Sequence, residues 1–401
     1  MPRRHTALKL TLLFFSLLLC AALFVAADWM RTSAILRAHP EKDFECLTPD
    51  PVREHALKEN CSTIAHWGGA SFSFFTNNLG FRDSRVRVVP PVVSKPRVLI
   101  LGDSFTQGAG NWEQTYVGML AARMPQYDFL NGGVSSYSPS NYLNTARMVM
   151  ARGISFDEAI VFIDLSDVQD EAAFYRDVGG SGAVTGPPQK GLVFTPLEQR
   201  RQWIAGHLFL TNYVLNFLQG VLVKFGYYHL TTGLLGDTLD LDRSAWSYRS
   251  VDEKDEFYPT GSGYGPLGVN GGIAREEARM TMLWQELAAR GIPLSVVVYP
   301  WPAQLAHDTV DSRQVRIWRD WCQGKCKRFV SLFPTFVDLK DRCHWFEPGC
   351  WYSKYFIFGD VHYNARGNAV VAAVVAHALE ADPVERLPHA PAAQDPPGHD
   401  R

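Results

Sequence analysis

Two short segments, far apart in the chain, carry the residue types of nucleophilic catalysis. The first is Leu99-Ile-Leu-Gly-Asp-Ser-Phe-Thr-Gln-Gly108, which sets Ser104 behind a Gly-Asp pair. The second is Gly359-Asp-Val-His-Tyr-Asn-Ala-Arg-Gly-Asn368, which holds Asp360 and His362. A serine hydroxyl is a weak nucleophile until a base takes its proton, and a third group must hold the tautomer of that base. Ser104, His362 and Asp360 supply these three types, and the chemistry they suit is acyl transfer. Alone, a Gly-Asp-Ser is no better than a helix cap, and an Asp-x-His no better than a surface turn. Their value lies in their placement together, one after the first apolar strand and the other before the last apolar helix.

The elements that must position these residues follow an α/β rhythm. Arg97–Leu101 (RVLIL) is a continuous apolar run that reads as a buried parallel strand. Tyr127–Leu130, Glu158–Ile163, Pro293–Tyr299 and Pro334–Leu339 read as four more strands, the last the weakest. Helical spacing is predicted over Thr115–Arg123, Asn141–Ala151, Ala274–Arg290 and Asn368–Leu379. Strands alternating with helices imply right-handed crossovers and a parallel sheet. Ligands bind such a sheet at the carboxyl ends of its strands, where Ser104 would sit. A nearby helix N-terminus would favour the negative charge of acyl transfer.

Residues 166–272 interrupt the rhythm with a Gly-rich loop (Gly179–Gly186), an apolar helical stretch (Trp203–Phe225) and a Tyr/Gly-rich stretch (Tyr258–Gly272). This large insertion after the third strand reads either as a substrate lid or as a structural elaboration. Tyr299-Pro-Trp-Pro302 belongs at the same sheet end, where Trp301 either stacks on a sugar ring or simply packs a loop. Residues 31–94 form an N-terminal extension, 95–380 the main domain, and 381–401 a Pro-, Ala- and charge-rich tail expected to be disordered.

These blocks resemble those of the SGNH hydrolase superfamily, the GDSL-like esterases, over about residues 95–380. The resemblance implies a flavodoxin-like α/β/α sandwich with a central parallel sheet. It matches Gly102-Asp103-Ser104 to the block of the nucleophile. Asn131-Gly132-Gly133-Val134-Ser135 matches the block whose glycine helps form the oxyanion hole, with Gly133 in that place. Asp360 and His362 match the last block. Asn78-Leu-Gly-Phe-Arg-Asp83 resembles a segment that often precedes the first block in exported members. Two departures stand out. The third block normally carries an Asn, whereas Phe162-Ile-Asp-Leu-Ser-Asp-Val-Gln-Asp170 has none. Ser166 takes the best-aligned position, and its hydroxyl can donate where the neighbouring Asp164 carboxylate can only accept. The expected oxyanion hole is therefore Ser104, Gly133 and Ser166. The family's Asp-x-x-His is here Asp-x-His, a spacing similar to that of exported polysaccharide O-acetyltransferases such as the alginate ones.

Three functions stay open: hydrolysis of a small acyl ester, which could be carried on a glycan; acetyl transfer to an exported polysaccharide, with a membrane protein supplying the acyl donor; and glycan binding without catalysis. No Gly-x-Ser-x-Gly elbow and no phosphate-binding Gly-x4-Gly-Lys occurs. No Cys-x2-Cys occurs and the histidines do not cluster with the cysteines, which speaks against zinc. The residues imply no metal and no organic cofactor. A net charge of -2 with a pI near 6.6 gives no support for a nucleic-acid partner.

The N-terminus bears on compartment. After Arg3 and Arg4, residues 10–27 are uncharged and almost wholly apolar. As a helix they span about 27 Å, close to the hydrocarbon thickness of a bilayer. Residues 1–30 read as a signal anchor or a cleaved signal peptide, the anchor favoured by length. Either way the main domain is expected outside the cytoplasm, in the periplasm or beyond it. Cys46, Cys61, Cys322, Cys326, Cys343 and Cys350 form three sequence-local pairs, and pairing them as disulfides fits an oxidising compartment.

Overall fold

The structure, a computed structural model, describes residues 2–38, 45–67, 70–179, 182–186, 203–204, 207–212, 214–215, 218, 241–248, 264–343, 350–357 and 360–388. The chain divides into two compact units. The larger comprises 45–191 and 239–401. Its strands are β1 (Leu47–Asp50), β2 (Glu54–Leu57), β3 (Ser62–Trp67), β4 (Ala70–Thr76), β5 (Arg82–Asp83), β6 (Arg97–Leu101), β7 (Asp128–Asn131), β8 (Glu158–Ile163), β9 (Arg176–Val178), β10 (Ala183–Thr185), β11 (Leu294–Val298) and β12 (Arg328–Ser331).

Eight of these form one sheet in the order β12-β11-β8-β6-β7-β5-β4-β3. From β12 to β7 every pairing is parallel. Counted along the chain, these five strands lie in the order 2-1-3-4-5, which is the doubly wound order of a flavodoxin-like fold. Its switch point falls between β6 and β8. Both strands, and β11 beside them, are buried along their whole length, so their apolar runs are continuous rather than alternating. The helices Tyr116–Arg123 and Ala365–Ala381 pack together on one side of the sheet. There Val117, Leu120, Val371, Val375 and Leu379 meet Val98, Ile100, Ile160, Phe162 and Val297 in one core. Helices Pro139–Ala151 and Gly268–Ala288 pack against each other elsewhere on the unit.

The expected central parallel sheet is present, and β5, β4 and β3 of the N-terminal extension continue it antiparallel beyond β7. Two expectations are corrected. The fifth parallel strand is Arg328–Ser331, while residues 334–339 lie in the helix Phe333–Asp341. Pro334 stands in the first turn of that helix, where its fixed φ is favourable, and a short apolar run does not by itself tell strand from helix. The tail does not leave the domain at 381: Val384 is buried with its N–H on the Tyr127 hydroxyl, and the Leu387 N–H reaches Asp157. Residues 389–401 lie outside the described residues.

Within the insertion, β9 and β10 form a hairpin spanning the Gly-rich loop. Residues 187–202, 219–240 and 249–263 lie outside the described residues, and with them most of the expected lid. The predicted helix at 274–290 begins earlier, at Gly268.

The smaller unit comprises 1–44 and 192–238. Its helix Pro2–Ala38 contains an apolar stretch, Thr11–Ala34, of 24 residues. At about 36 Å this stretch is long enough to cross a membrane. A signal sequence has the same character. The Asp28 carboxylate accepts from the N–H groups of Leu210 and Thr211, at 3.0 and 2.6 Å. Cys46–Cys61 and Cys322–Cys326 are disulfides, as their spacing suggested. Cys343 is also disulfide-bonded, and the Cys350 side chain lies outside the described ones.

Candidate active site

The loop leaving β6 is held by close packing. A Cβ on Gly102 would stand 2.0 Å from Thr106 Oγ1, so no larger residue fits at the turn. The Asp103 carboxylate accepts from the Phe105 N–H at 2.9 Å and caps the single turn Ser104–Gln107. The loop after β7 locks onto this turn. Asn131 Nδ2 donates to the Thr106 carbonyl at 2.9 Å, and a Cβ on Gly133 would meet Thr106 Cβ at 2.5 Å. Arg82, on β5, closes the far end. Its guanidinium donates to the carbonyls of Gln107, Gly108 and Gly110, and it lies over the rings of Phe72 and Phe74.

The His362 loop is set just before the helix Ala365–Ala381. Asn364 caps that helix through the N–H groups of Arg366 and Gly367. The Tyr363 hydroxyl donates to the Pro300 carbonyl, which ties the loop to the end of β11. Tyr352 donates to the Asp360 carbonyl at 3.0 Å.

These two loops bring Ser104 and His362 together across 258 residues of sequence. His362 Nε2 stands 2.7 Å from Ser104 Oγ, and Nδ1 stands 2.5 Å from Asp360 Oδ1. A carboxylate on Nδ1 leaves the proton there and turns the Nε2 lone pair toward the serine. Ser104 then donates to Nε2, which is the arrangement that activates a hydroxyl. Burial works to raise the Asp360 carboxyl. The charge of His362 and the hydrogen bonds from His362 and Trp67 outweigh it and hold Asp360 down at about 2. Asp360 is thereby held as a carboxylate near neutral pH.

The expected oxyanion donors fare differently. Among the described residues the Ser104 N–H meets no acceptor. The Gly133 N–H faces Asn131 Oδ1 at 3.0 Å. Ser166 is a correction. Its N–H and its hydroxyl both point at Asp164 Oδ1, at 2.6 and 2.7 Å. A hydroxyl has one proton, and here the adjacent carboxylate takes it.

Asp164 itself is a residue whose role sequence reasoning missed. It follows β8 at the switch point, and Trp301 Nε1 donates to its other oxygen at 2.9 Å. Trp301 is 2% exposed, so of its two readings the packed loop holds. Asp103 is pushed well above the ordinary carboxylate range, first by burial and then by the negative charge of Asp164 beside it. The Tyr299 hydroxyl donates to Asp103 at 3.0 Å. Two acids, Asp103 and Asp164, thus lie buried together behind the Ser104 turn.

Trp67 was missed as well. Its Nε1 donates to Asp360 Oδ2 at 2.8 Å, from a strand 293 residues earlier. A lone Trp at the end of a short strand gave no signal. Arg82 could have been found, since it lies in the Asn78–Asp83 segment already singled out.

No cluster of His, Cys, Asp and Glu suited to a metal ion occurs among the described residues. A groove of about 480 Å³ lined by Pro91, Met150, Phe156 and Arg290 lies by the amino ends of β8 and β11, away from Ser104. It holds none of the groups described above.

No protein family matches the sequence, and no curated protein matches it. Solved structures similar to the chain include an acetylxylan esterase from Geobacillus stearothermophilus, at 10% identity over 72% of this chain and 95% of that one, with a TM-score of 0.38. A member of the lipolytic G-D-S-L family from Veillonella parvula is 12% identical over 71% and 98%, with a TM-score of 0.35. A GDSL-like lipase from Bacteroides thetaiotaomicron is 13% identical over 73% and 92%, also with a TM-score of 0.35.

Proposed function

We propose that the chain is a serine-dependent acyl-ester hydrolase of the SGNH type. The observation that carries this reading is the unbroken line Ser104 Oγ, His362 Nε2, His362 Nδ1, Asp360 Oδ1. Ser104 Oγ attacks the ester carbonyl carbon while its proton passes to His362 Nε2. The tetrahedral oxyanion is met by the Ser104 N–H and by the Gly133 N–H, which it would share with Asn131. Collapse expels the alkoxide, which takes the proton from Nε2 and leaves an acyl group on Ser104. Water then gives a proton to Nε2 and attacks the acyl carbon. The acid leaves and the proton returns to Ser104. The same line speaks against a purely glycan-binding module, which needs no base beside its serine.

Two observations favour a second reading, an O-acetyltransferase acting on an exported polysaccharide. One is the Asp360-x-His362 spacing. The other is the apolar stretch Thr11–Ala34, which supports a domain tethered at a membrane and facing the periplasm. In that reading a sugar hydroxyl replaces water, and a membrane protein delivers the acyl group.

Acetate release from p-nitrophenyl acetate, with and without an oligosaccharide, tests both readings in the full chain and in Ser104→Ala. Activity lost in the variant supports the nucleophile, and equal activity in both refutes it. Acetylated oligosaccharide would favour the transferase, whereas acetate released to water alone would favour the hydrolase.

A further inference from the structure

We propose that Trp67, on the N-terminal wing formed by β3, β4 and β5, is a positioning residue for the candidate base, so that the Ser104–His362–Asp360 line is complete only with the wing in place. The inference rests on the reading of Ser104 as nucleophile and His362 as base.

Trp67 is the last residue of β3 and pairs with Ala70 at the tip of the β3–β4 hairpin. It makes two separate contacts with the site. Its indole N–H donates to Asp360 Oδ2, while Asp360 Oδ1 takes both the ring Nδ1 and the backbone N–H of His362. With each oxygen held from a different side, the carboxylate cannot rotate without losing a charge-assisted bond. The ring of Trp67 also stands edge-on to His362, with centroids 4.6 Å apart. Phe105 flanks the same imidazole at 4.4 Å. The imidazole therefore lies between an aromatic from the nucleophile turn and one from the wing. Swinging away from Ser104 would break both contacts. Among the described residues, Asp360 is the charged group touching this ring, so a donor on Asp360 acts directly on the base.

The decisive variant is Trp67→Phe, which keeps a ring against His362 and removes only the N–H. It is compared with wild type, Ser104→Ala and Trp67→His as full chains on p-nitrophenyl acetate. In Trp67→Phe, kcat falls about tenfold with KM within about twofold. The acid limb of kcat/KM moves up by about half a pH unit, because the carboxylate charge facing Nδ1 is no longer shared with a second donor. Trp67→His returns a ring N–H and recovers most of the limb. A merely structural role would lower the yield of folded enzyme and leave the limb where it was. Wild-type kcat and an unmoved limb in Trp67→Phe, with Ser104→Ala inactive, would overturn the role of Trp67 and leave the hydrolase standing. Full activity in Ser104→Ala would overturn the hydrolase itself. Should Trp67→Phe fail to fold, Trp67→Leu is read on the same limb: a raised position with lowered kcat supports the role, and wild-type kcat with the limb unmoved overturns it.

Discussion

The five parallel strands and the three-stranded antiparallel wing make one sheet, yet they do different work. The inner parallel strands β6, β8 and β11 are buried along their whole length, and the parallel half sets the turn after β6, the glycine loop after β7 and the place of Asp164 after β8. The wing is half solvated, with exposed and covered residues mixed along β3. What it contributes is side chains, Arg82 on the carbonyls behind Ser104 and Trp67 on Asp360. A nucleophile needs a rigid backbone, and a parallel sheet with both faces covered supplies it. A base needs its tautomer and rotation held, and groups reaching in from an edge can do that.

Breaking the parallel half's contribution has the largest expected effect. Ser104→Ala should lower ester turnover by about 10⁴-fold or more, measured as acetate release against an unchanged circular dichroism spectrum. Next comes the joint between the halves. Arg82 is 1% exposed and holds three backbone carbonyls. Arg82→Ala should lower the unfolding free energy by about 4 kcal/mol in urea titration and reduce turnover with it.

The staple at the root of the wing is smaller. The Cys46–Cys61 disulfide closes a separation of 15 residues. Changing both cysteines to serine should cost about 3 kcal/mol. Calorimetry would show this as a lowered midpoint, with the Ser104 contacts spared.

Two carboxyls also answer pH in opposite senses. Burial, against the pull of Arg243, pushes Asp170 after β8 up to about 8. Its folded value lies above the unfolded one, so the folded state holds the extra proton between roughly pH 4 and 8. The contribution is full below that window and is lost as pH rises through it. Asp170→Asn should therefore gain about 2 kcal/mol at pH 8, discounted for partial exposure, and almost nothing at pH 4. Asp360, held at about 2 chiefly by the charge and hydrogen bonds of His362 against its burial, does the reverse. Its stabilisation is present above about pH 4 and is lost as pH falls toward 2. Equal pH slopes in wild type and Asp170→Asn would remove this contrast.

Much of the parallel half was legible. RVLIL and EAIVFI are too short for helices and too apolar for solvent, so they read as central strands. The wing was not. STIAHW and ASFSFFT mix small, polar and aromatic residues, and only pairing with each other and, through β4, with β5 makes strands of them. Pro334–Leu339 failed for a related reason, since its apolar residues suit a helix as well as a strand. Ser166 failed differently: a hydroxyl can donate, but to what is decided by its nearest acceptor.

By itself, the sequence determined the chemistry on offer: a serine after the first apolar strand, a histidine and an aspartate before the last helix, and an apolar N-terminus. These are local facts, carried by residue type and short spacing. Only the tertiary structure decided that Ser104 and His362 meet at 2.7 Å, that Ser166 is spent on Asp164, and that Trp67 reaches Asp360. Hydrogen bonds act over a few ångströms and depend on direction. Partners separated by 258 or 293 residues therefore leave no mark in the local sequence pattern.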